Sequence, residues 1–384
     1  MATAFDHAAG SASDRRTLAV HRLELGQFRN YRRLVLETDD RPVVLFGPNG
    51  AGKTNLLEAL SLLAPGRGLR GARLAEMDRR DGGPFRIAAR LAGPAGPVEI
   101  RIRHRPEEGR RRIELDGRGL AGSAELADVV TAVWLTPAMD RLFLEGPAAR
   151  RRLLDRLTLA VDPGHGRRVA AFERALRERL RLLTGPRADP AWLAVLERRI
   201  AALAVAILAA RRQVVAGLAG ELARPVMGFP ALALKVRGEL EAEVAGLSAL
   251  AAEEHYAARL GALRRRDAEL GRTTLGPHRS DLLVRAGDSG EPAARCSSGR
   301  QKAMLCALLL AQIRLARAWR GQLPLVLLDE PMTHLDADRR RALAEAVVAL
   351  GCQAWFTGTD REAFAPLAGR ARFLHVDGAR LDET

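Results

Sequence analysis

One octapeptide, GPNGAGKT from Gly47 to Thr54, restricts the possible folds of this 384-residue chain more than any other stretch. It fits the pattern G-x-x-x-x-G-K-[ST] and lies between an apolar run, RPVVLF, and a helix predicted from Lys53 to Ala64. Glycines allow backbone N–H groups to surround phosphate oxygens, and the N-terminus of the helix adds the positive end of its dipole. The octapeptide therefore predicts a strand, a phosphate-binding loop and a helix within an α/β fold.

Each residue of this Gly-rich loop is a candidate nucleotide ligand. Only three of the 61 basic residues are lysines, so the lysine that ends the loop is informative. A compact ammonium fits between phosphate oxygens where a guanidinium fork does not serve in the same way. Lys53 is expected to reach the β- and γ-phosphates, and the Thr54 hydroxyl is expected to bind Mg²⁺. The candidate binding residues are Gly47, Pro48, Asn49, Gly50, Ala51, Gly52, Lys53 and Thr54.

An acidic pair follows a second apolar run, LVLL at Leu325–Leu328. Ligand sites of α/β sheets lie at the carboxyl ends of strands, so Asp329 and Glu330 are expected beside the Gly-rich loop. Asp329 is the candidate metal ligand together with Thr54, either directly or through water. Glu330 is the candidate base that orients and deprotonates an attacking water, and Lys53 is the second candidate catalytic residue. A simple strand end is the alternative explanation of the pair.

Two further stretches narrow the class of nucleotide-binding protein. SSGRQK begins a helix predicted from Ser298 to Trp319, and it has Ser297 and Gly299 where an ABC-type signature lies. MTHLD follows the acidic pair and is similar to a D-loop that ends at Asp336. An ordinary helix N-cap is the alternative for Ser-Ser-Gly. These stretches add Ser297, Gly299 and Asp336 to the candidate nucleotide-binding residues.

The signature and the switch region depart from the usual pattern. Arg300 stands where the signature usually has Gln or Gly, so side-chain roles there are open. No histidine lies near TGTD, where a transporter engine carries its switch histidine. Thr359 or Asp360 is the candidate replacement, and slow hydrolysis is expected as a consequence.

The loop and the acidic pair lie about 276 residues apart, which is unlike a compact kinase or GTPase. Residues 147–271 are rich in Ala, Leu, Arg and Glu and predict an all-helical arm. The arm splits an α/β head into residues 17–146 and 272–384, and residues 1–16 are expected to be a disordered extension. Spacings of three and four resemble a coiled-coil seam, with an amphipathic helix in a bundle as the alternative. The seam residues are Leu193, Leu196, Ile200, Leu203, Ile207, Ala210 and Val214.

Charge and composition point to a polyanionic partner. The net charge is +15, and aromatic residues make up only 4% of the chain. DNA contacts through phosphates are therefore favoured over base stacking, although an arginine-rich proteome explains the charge as well. Arg150–Arg152 and Arg264–Arg266 are candidate contacts, with solvated helix faces as the alternative. Three cysteines at no metal-ligand spacing, no signal sequence and no membrane-length apolar run predict a cytoplasmic location.

The motifs together resemble the RecF family of bacterial recombination mediators, whose ABC-type heads are SMC-like. The resemblance covers the chain nearly end to end except for about sixteen N-terminal residues. The stretches that carry it are FRNY (Phe28–Tyr31), GPNGAGKTNLLEAL, GRGLR (Gly66–Arg70), LTPAMDRLFLEGPAARRRLLD (Leu135–Asp155), GPHRSDL (Gly276–Leu282), SSGRQKAMLCALLLAQ and WFTGTD (Trp355–Asp360).

The resemblance implies an ATP- and Mg²⁺-dependent homodimer with weak ATPase activity. It implies binding to gapped or single-strand–duplex DNA and loading of RecA together with RecO and RecR. Each composite site would take Lys53, Asp329 and Glu330 from one chain and the signature from the other. His278 in GPHR matches the family motif, but a turn role is equally open. The alternatives are the engine subunit of an ABC transporter and, more weakly, a small-molecule kinase.

Overall fold

The computed structural model of the chain describes residues 17–93, 96–186, 189–224 and 226–383. The predicted disordered extension, residues 1–16, lies outside these described residues. The first part of the described chain contains β1 (Ala19–Phe28), β2 (Tyr31–Glu37), β3 (Val43–Phe46), α1 (Lys53–Ser61), α2 (Leu74–Met77), β4 (Arg86–Gly93), β5 (Gly96–Arg105), β6 (Arg110–Leu115), β7 (Arg118–Leu120) and β8 (Ala132–Leu135).

The middle part is mostly helical, and the last part returns to mixed structure. The middle contains α3 (Pro147–Leu159), α4 (His165–Thr184), α5 (Pro190–Leu222), β9 (Leu232–Arg237), α6 (Glu239–Glu243), α7 (Ala249–Ala262) and α8 (Arg264–Leu270). The last part contains β10 (Asp281–Ala286), α9 (Ser298–Arg320), β11 (Leu325–Leu328), α10 (Ala337–Leu350), β12 (Ala354–Gly358), β13 (Arg372–Asp377) and β14 (Arg380–Glu383).

A six-stranded sheet in the order β14-β13-β3-β12-β11-β8 forms the centre of the head. Its strands are parallel except for β14. The apolar runs VVLF and LVLL form β3 and β11 and are almost entirely buried, as expected of parallel strands covered on both faces. Only β12 separates β3 from β11, so the Gly-rich loop and the acidic pair emerge at the same edge of the sheet.

A second, antiparallel sheet has the order β2-β1-β4-β5-β6-β7. Its strands alternate between buried and exposed residues: in β5, Ile100 and Ile102 are buried, whereas Arg101 and Arg103 are exposed. The buried face shares one hydrophobic core with α1 and with residues of the central sheet. Helix α1 therefore lies between the two sheets, and its buried position fixes where the preceding loop lies.

The arm is a helical bundle rather than an isolated coiled-coil pair. Helix α5 has 33 residues and is ~50 Å long. It packs against α4 and α7, and near its carboxyl end against α9 of the head. Six of the seven predicted seam residues are buried, and Leu203 is partly buried. The alternative interpretation of the repeat, an amphipathic helix packed in a bundle, is therefore the one that the structure shows.

A buried cluster of charges lies at the centre of this bundle. Arg179 is fully buried, and its guanidinium donates to Glu197 at 2.9 Å and to Asp267 at 2.7 Å. It also donates to the backbone oxygen of Leu260 at 2.7 Å. A buried charge is tolerated only when it is paired and hydrogen-bonded, so these contacts tie α4, α5 and α8 together with α7.

The prediction that residues 147–271 are entirely helical is wrong for one stretch. LALKVR forms β9, which pairs antiparallel with β10 in a two-stranded sheet. Its burial follows a period of two, with Leu232, Leu234 and Val236 turned inward and Ala233, Lys235 and Arg237 exposed. This alternation is typical of a strand, and the helical composition around it obscures it. We keep 147–271 as the proposed extent of the arm. No helix among the described residues is long and apolar enough to cross a membrane.

Candidate nucleotide-binding site

The Gly-rich loop joins β3 to α1 and has a shape that only glycine permits at two positions. Gly47 has φ 143°, and a Cβ there would lie 2.2 Å from the backbone oxygen of Val376. Gly52 has φ 117°, and a Cβ there would lie 2.5 Å from the side chain of Asn30. Gly50 also has a left-handed φ, 81°, but a Cβ there would meet nothing within 4 Å. The loop is therefore held from behind and open in front, as a phosphate cradle must be.

Lys53 lies across this loop as a buried cation. Its side chain is 5% exposed, and Nζ donates to the backbone oxygens of Gly47 at 2.7 Å and Pro48 at 2.8 Å. No carboxylate forms an ion pair with it among the residues that the structure describes. Burial lowers the pKa of Lys53, and the nearby Glu330 and Asp329 charges offset part of that effect. A buried ammonium that lacks a close counter-ion favours an anion in the cradle.

Asp329 and Thr54 meet at the predicted metal position. The Thr54 hydroxyl donates to Oδ1 of Asp329 at 2.8 Å. Hydroxyl and carboxylate oxygens are ligands that Mg²⁺ accepts, and the ion commonly uses one or two protein ligands plus phosphates and waters. No cluster of three or more His, Cys, Asp or Glu side chains suited to a metal occurs in the described chain. The donor set thus fits a magnesium ion bound jointly with a nucleotide.

Thr357 completes this part of the site, and sequence reasoning missed it. It lies near the end of β12, between β3 and β11, and it is 1% exposed. Its hydroxyl donates to Oδ1 of Asp329 at 2.8 Å and accepts from the backbone N–H of Glu330 at 2.9 Å. A lone hydroxyl in the apolar run AWFTG was the available signal. Among the described residues, Thr357 hydrogen-bonds to the acidic pair, whereas the Thr359 hydroxyl donates to Asp360.

Glu330 is held in an unusual backbone conformation. Its φ is 48°, a left-handed value that residues other than glycine seldom adopt. The hydrogen bond from its N–H to Thr357 stabilises that conformation. Residues with strained backbones cluster at functional sites, so the geometry agrees with the predicted catalytic role of Glu330.

The FRNY stretch supports the Gly-rich loop from behind. Asn30 donates to the backbone oxygen of Ala51 at 3.0 Å, and the Tyr31 hydroxyl donates to that of Gly52 at 3.1 Å. With these carbonyls occupied, the loop keeps its orientation. The sequence indicated FRNY only through the family resemblance, because a contact between β2 and a loop twenty residues away has no local signal.

A buried carboxylate fixes α1 against the same hairpin. Glu58 on α1 is fully buried, and both of its oxygens accept from Arg29, at 2.7 and 2.8 Å. Arg70, from the GRGLR stretch, also donates to Glu58 at 3.0 Å. A bidentate pair fixes the relative position of its two elements, so α1 and the β1–β2 turn form one unit.

The signature and D-loop residues make local contacts of their own. Ser297 is exposed and caps α9 by accepting from the backbone N–H of Arg300 at 3.4 Å. Gly299 lies near the D-loop, since a Cβ on it would be 3.5 Å from the backbone oxygen of His334. Asp336 caps α10 through the N–H of Arg339 at 2.8 Å. Within the described ranges, no hydrogen bond joins Ser297, Gly299 or Asp336 to the Gly-rich loop.

The altered signature has local structural partners. The Arg300 guanidinium forms an ion pair with Asp288 at 2.7 Å, and Gln301 is buried and donates to the backbone oxygen of Cys296 at 2.9 Å. Lys302, also buried, donates to Asp140 at 2.8 Å. These contacts hold the start of α9 in place and leave the Ser297 side chain at the surface.

Several other basic and imidazole side chains that the sequence singled out make contacts within the fold. His278 is mostly buried, contacts the backbone oxygen of Thr273 at 2.9 Å and lies 5.7 Å from the Phe172 ring, and burial lowers its pKa. Arg150 forms a two-pronged ion pair with Asp281. Arg264 pairs with Glu197, whereas Arg266 is exposed. The geometry of His278 favours a structural role. Arg150 and Arg264 form ion pairs within the chain, so their charges are already neutralised.

Comparisons with known proteins agree with a nucleotide-binding fold. The family model "AAA domain, putative AbiEii toxin, Type IV TA system" matches residues 43–354. The DNA replication and repair protein RecF of Mesorhizobium japonicum is 47% identical over 371 residues, which are 95% of this chain and 98% of that protein. That of Rhizobium meliloti is 47% identical over 366 residues, which are 94% and 97% of the two chains. The chain belongs to the RecF family.

Solved structures agree with this assignment at the level of the fold. The recombination mediator protein RecF-ATPrS in the RecFOR pathway has a TM-score of 0.84 at 22% identity, covering 96% of this chain and 98% of that chain. An Smc head domain with an extended coiled coil from Pyrococcus furiosus has a TM-score of 0.53 at 16% identity, covering 96% of each. The predicted fold, an ABC-type ATPase head split by a helical arm, is confirmed. The predicted class, an ATPase of DNA replication and repair, is confirmed as well, and the likeness to the Smc head is one of fold.

A substitution at Thr357 tests its place in this RecF-family site. Thr357→Val keeps the shape but removes both hydrogen bonds, and a buried unpaired N–H costs about 1–3 kcal/mol. We expect turnover of ATP to fall roughly 10- to 100-fold, with a smaller change in nucleotide affinity. Thr158→Val is the matched control, because Thr158 on α3 is also buried and its hydroxyl donates to the backbone oxygen of Leu154. Equal effects of the two variants on steady-state turnover would show that Thr357 has no special role.

Proposed function

We propose that this chain is an ATP-dependent DNA-binding switch that works as a homodimer with two composite nucleotide sites. The observation that carries the proposal is that, within the described residues, no hydrogen bond joins the signature to the Gly-rich loop. Lys53, Thr54 and Asp329 lie together, whereas Ser297 is exposed at the start of α9. A two-fold axis that places one signature on the partner's nucleotide completes both sites at once. ATP then acts as the contact between the two heads.

Each residue of the site has a distinct part in the proposed cycle. The backbone N–H groups from Gly47 to Gly52 and the Lys53 ammonium hold the phosphates. Thr54 and Asp329 would hold Mg²⁺, which would neutralise charge on the phosphate oxygens. Thr357 orients Asp329 and the backbone of Glu330. Glu330 accepts a proton from the attacking water at its carboxylate. Hydrolysis removes the γ-phosphate that bridges the two heads, and the dimer then dissociates.

The DNA-directed part of the proposal follows the family. Matched relatives carry the name DNA replication and repair protein, and a matched structure is of a recombination mediator in the RecFOR pathway. We propose that this chain recognises gapped or single-strand–duplex DNA and promotes RecA loading with RecO and RecR in the cytoplasm. The +15 net charge supports a nucleic-acid partner. The alternative, an ABC transporter engine, has no observation in its favour.

Mixing two inactive variants tests the composite site. Lys53→Ala disables the loop but leaves the signature, and Ser297→Arg obstructs the signature but leaves the loop. Each homodimer has two broken sites, whereas a mixed dimer has one intact site. We expect each variant alone to be inactive and the mixture to regain up to roughly a quarter of wild-type ATPase activity on random pairing. Activity is measured as phosphate release in the presence of DNA.

The control for this experiment is Ser248→Arg. Ser248 caps α7 in the arm and accepts from a backbone N–H at 3.3 Å, almost as Ser297 does in α9, so it matches the loss of an N-cap. If each dimer needs both sites, the mixture stays inactive, and cross-linking ATP from the Ser297→Arg loop to the partner chain decides the matter. Normal hydrolysis by monomeric Ser297→Arg protein would refute composite sites.

A further inference from the structure

The outer face of the antiparallel sheet carries a row of arginines that runs straight across the strands. Arg86 on β4 is directly opposite Arg103 on β5, which is directly opposite Arg112 on β6. On the other side, Gly26 on β1 separates Arg86 from Arg33 on β2. All four arginines are exposed. We call these four residues the arginine row.

The row differs in charge from the rest of the same face. Two residues further along the strands, the next row on this face contains the carboxylates Glu24 and Glu114. In the row after that, Glu37 forms an ion pair with Arg22. Within the row, Arg112 forms an ion pair with Glu114 at 3.3 Å. Across the described ranges, the side chains of Arg33, Arg86 and Arg103 take part in no ion pair and no hydrogen bond.

This arrangement disfavours a purely structural role for the row. Like charges directly opposite each other on neighbouring strands destabilise a sheet. The adjacent rows show that acidic residues are readily placed on this face. A row in which three of four cations lack an ion pair, and in which like charges face each other, is explained by an external anion.

The dimensions of the row fit a nucleic-acid backbone. Strands lie ~4.8 Å apart, so four strand spacings place Arg33 and Arg112 ~19 Å from each other. One strand of DNA presents a charge every ~3.4 Å along the axis, so the row faces several consecutive phosphates. An open depression of about 520 Å³ follows the row at Gly26, Arg33, Arg86 and Arg103. Glu24 and Glu99 also line it, whereas no aromatic side chain of the described residues does. Contact with phosphates is therefore favoured over stacking on bases.

We propose that the arginine row binds the phosphate backbone of duplex DNA. The inference rests on the proposed DNA-binding function and specifies where that binding occurs. It also connects DNA to the nucleotide. Arg33 lies two residues after Tyr31, and Asn30 and Tyr31 hold the carbonyls of the Gly-rich loop. DNA on the row and ATP in the loop thus act on the same β1–β2 hairpin, and each ligand stabilises the position that the other needs.

The test replaces three unpaired arginines, Arg33, Arg86 and Arg103, with glutamine in the full chain. Binding to a short fluorescent DNA duplex is measured by anisotropy with Mg·ATP over a range of salt concentrations. Loss of three phosphate contacts should lower the slope of log K against log[salt] by about 2.7 and weaken binding roughly 100-fold at 0.1 M salt. Thermal unfolding checks that the variant is folded. Since the substitutions remove repulsion between arginines, the unfolding midpoint should be at least as high as that of the wild type.

The matched control changes three exposed arginines of the arm, Arg174, Arg198 and Arg199, to glutamine. This control variant has the same change in net charge as the row variant. Its DNA affinity should stay within a few-fold of wild type, and its slope of log K against log[salt] should stay close to the wild-type value. If the row and control variants had the same DNA affinity and the same salt slope, the arginine row would not be the binding site, although the chain could still bind DNA elsewhere. Absence of salt-dependent DNA binding by the wild-type chain would overturn the proposed function as well. Unchanged DNA affinity with altered dimerisation of the row variant would assign the face to a second copy of the chain and refute the inference.

Discussion

Replacing Lys53 with alanine is expected to lower the affinity for ATP roughly 100-fold while leaving the fold intact. The ammonium should exchange its two bonds to loop carbonyls for bonds to phosphates, and hydrogen bonds to charged groups contribute about 1.5–3 kcal/mol each. Lys53→Arg should also impair hydrolysis, since a guanidinium is broader and flatter. Equilibrium binding of a fluorescent ATP analogue measures the affinity. Lys235→Ala, at an exposed lysine of β9, is the control.

The same residue predicts how ATP affinity depends on pH. Burial lowers the pKa of Lys53 in the free protein, and bound phosphate charge raises it again. Between these two pKa values, binding takes up a proton, so affinity falls as pH rises through the free-protein pKa and is flat below it. Calorimetry in two buffers of different ionisation enthalpy measures that proton. Affinity in Lys53→Ala within twofold of wild type would refute the assignment of the loop.

Replacing Glu330 with glutamine is expected to reduce ATP turnover ~10²- to 10⁴-fold, the usual contribution of a general base. Glutamine has nearly the same shape and cannot accept the proton of the attacking water. Nucleotide binding should persist, because the loop, Lys53 and Asp329 are untouched. The dimer should therefore accumulate in the presence of Mg·ATP, as measured by sedimentation velocity.

Glu345→Gln provides the control for this variant, because it lies on the exposed side of α10 in the same part of the head. It should keep wild-type turnover and dimerise only transiently. Turnover of Glu330→Gln within a few-fold of this control would mean that another group activates the water. Loss of nucleotide binding in Glu330→Gln would instead mean that the residue holds the metal or the phosphates.

The local parts of the site were predictable, because each is encoded in a few consecutive residues. Gly47–Thr54 joins a buried strand to a helix as expected, and the strand that ends at Leu328 brings Asp329 to Thr54. Both depend on patterns in which glycine, lysine or an apolar run has a direct physical role. Strand order brings the two segments together, and the rule that sites lie at carboxyl ends of strands was sufficient to expect it.

The non-local parts were not predictable from a single sequence. Thr357 contacts the acidic pair because β12 lies between β3 and β11, and strand order is not written in any short stretch. Arg150 seemed free on a helix face, but Asp281, more than a hundred residues later, neutralises it. The arginine row is the opposite case, since its members are scattered over four strands and only sheet register aligns them.

The interleaved order of the central sheet has a consequence for biosynthesis. Strand β3, which carries the Gly-rich loop, ends at Phe46, whereas its two neighbours β12 and β13 begin at Ala354 and Arg372. At ~5–20 residues per second, a ribosome needs roughly 15 to 60 s to make the intervening chain. During that interval β3 has no strand to pair with. A nascent chain therefore completes the sheet that holds the Gly-rich loop only after β12 and β13 have been made.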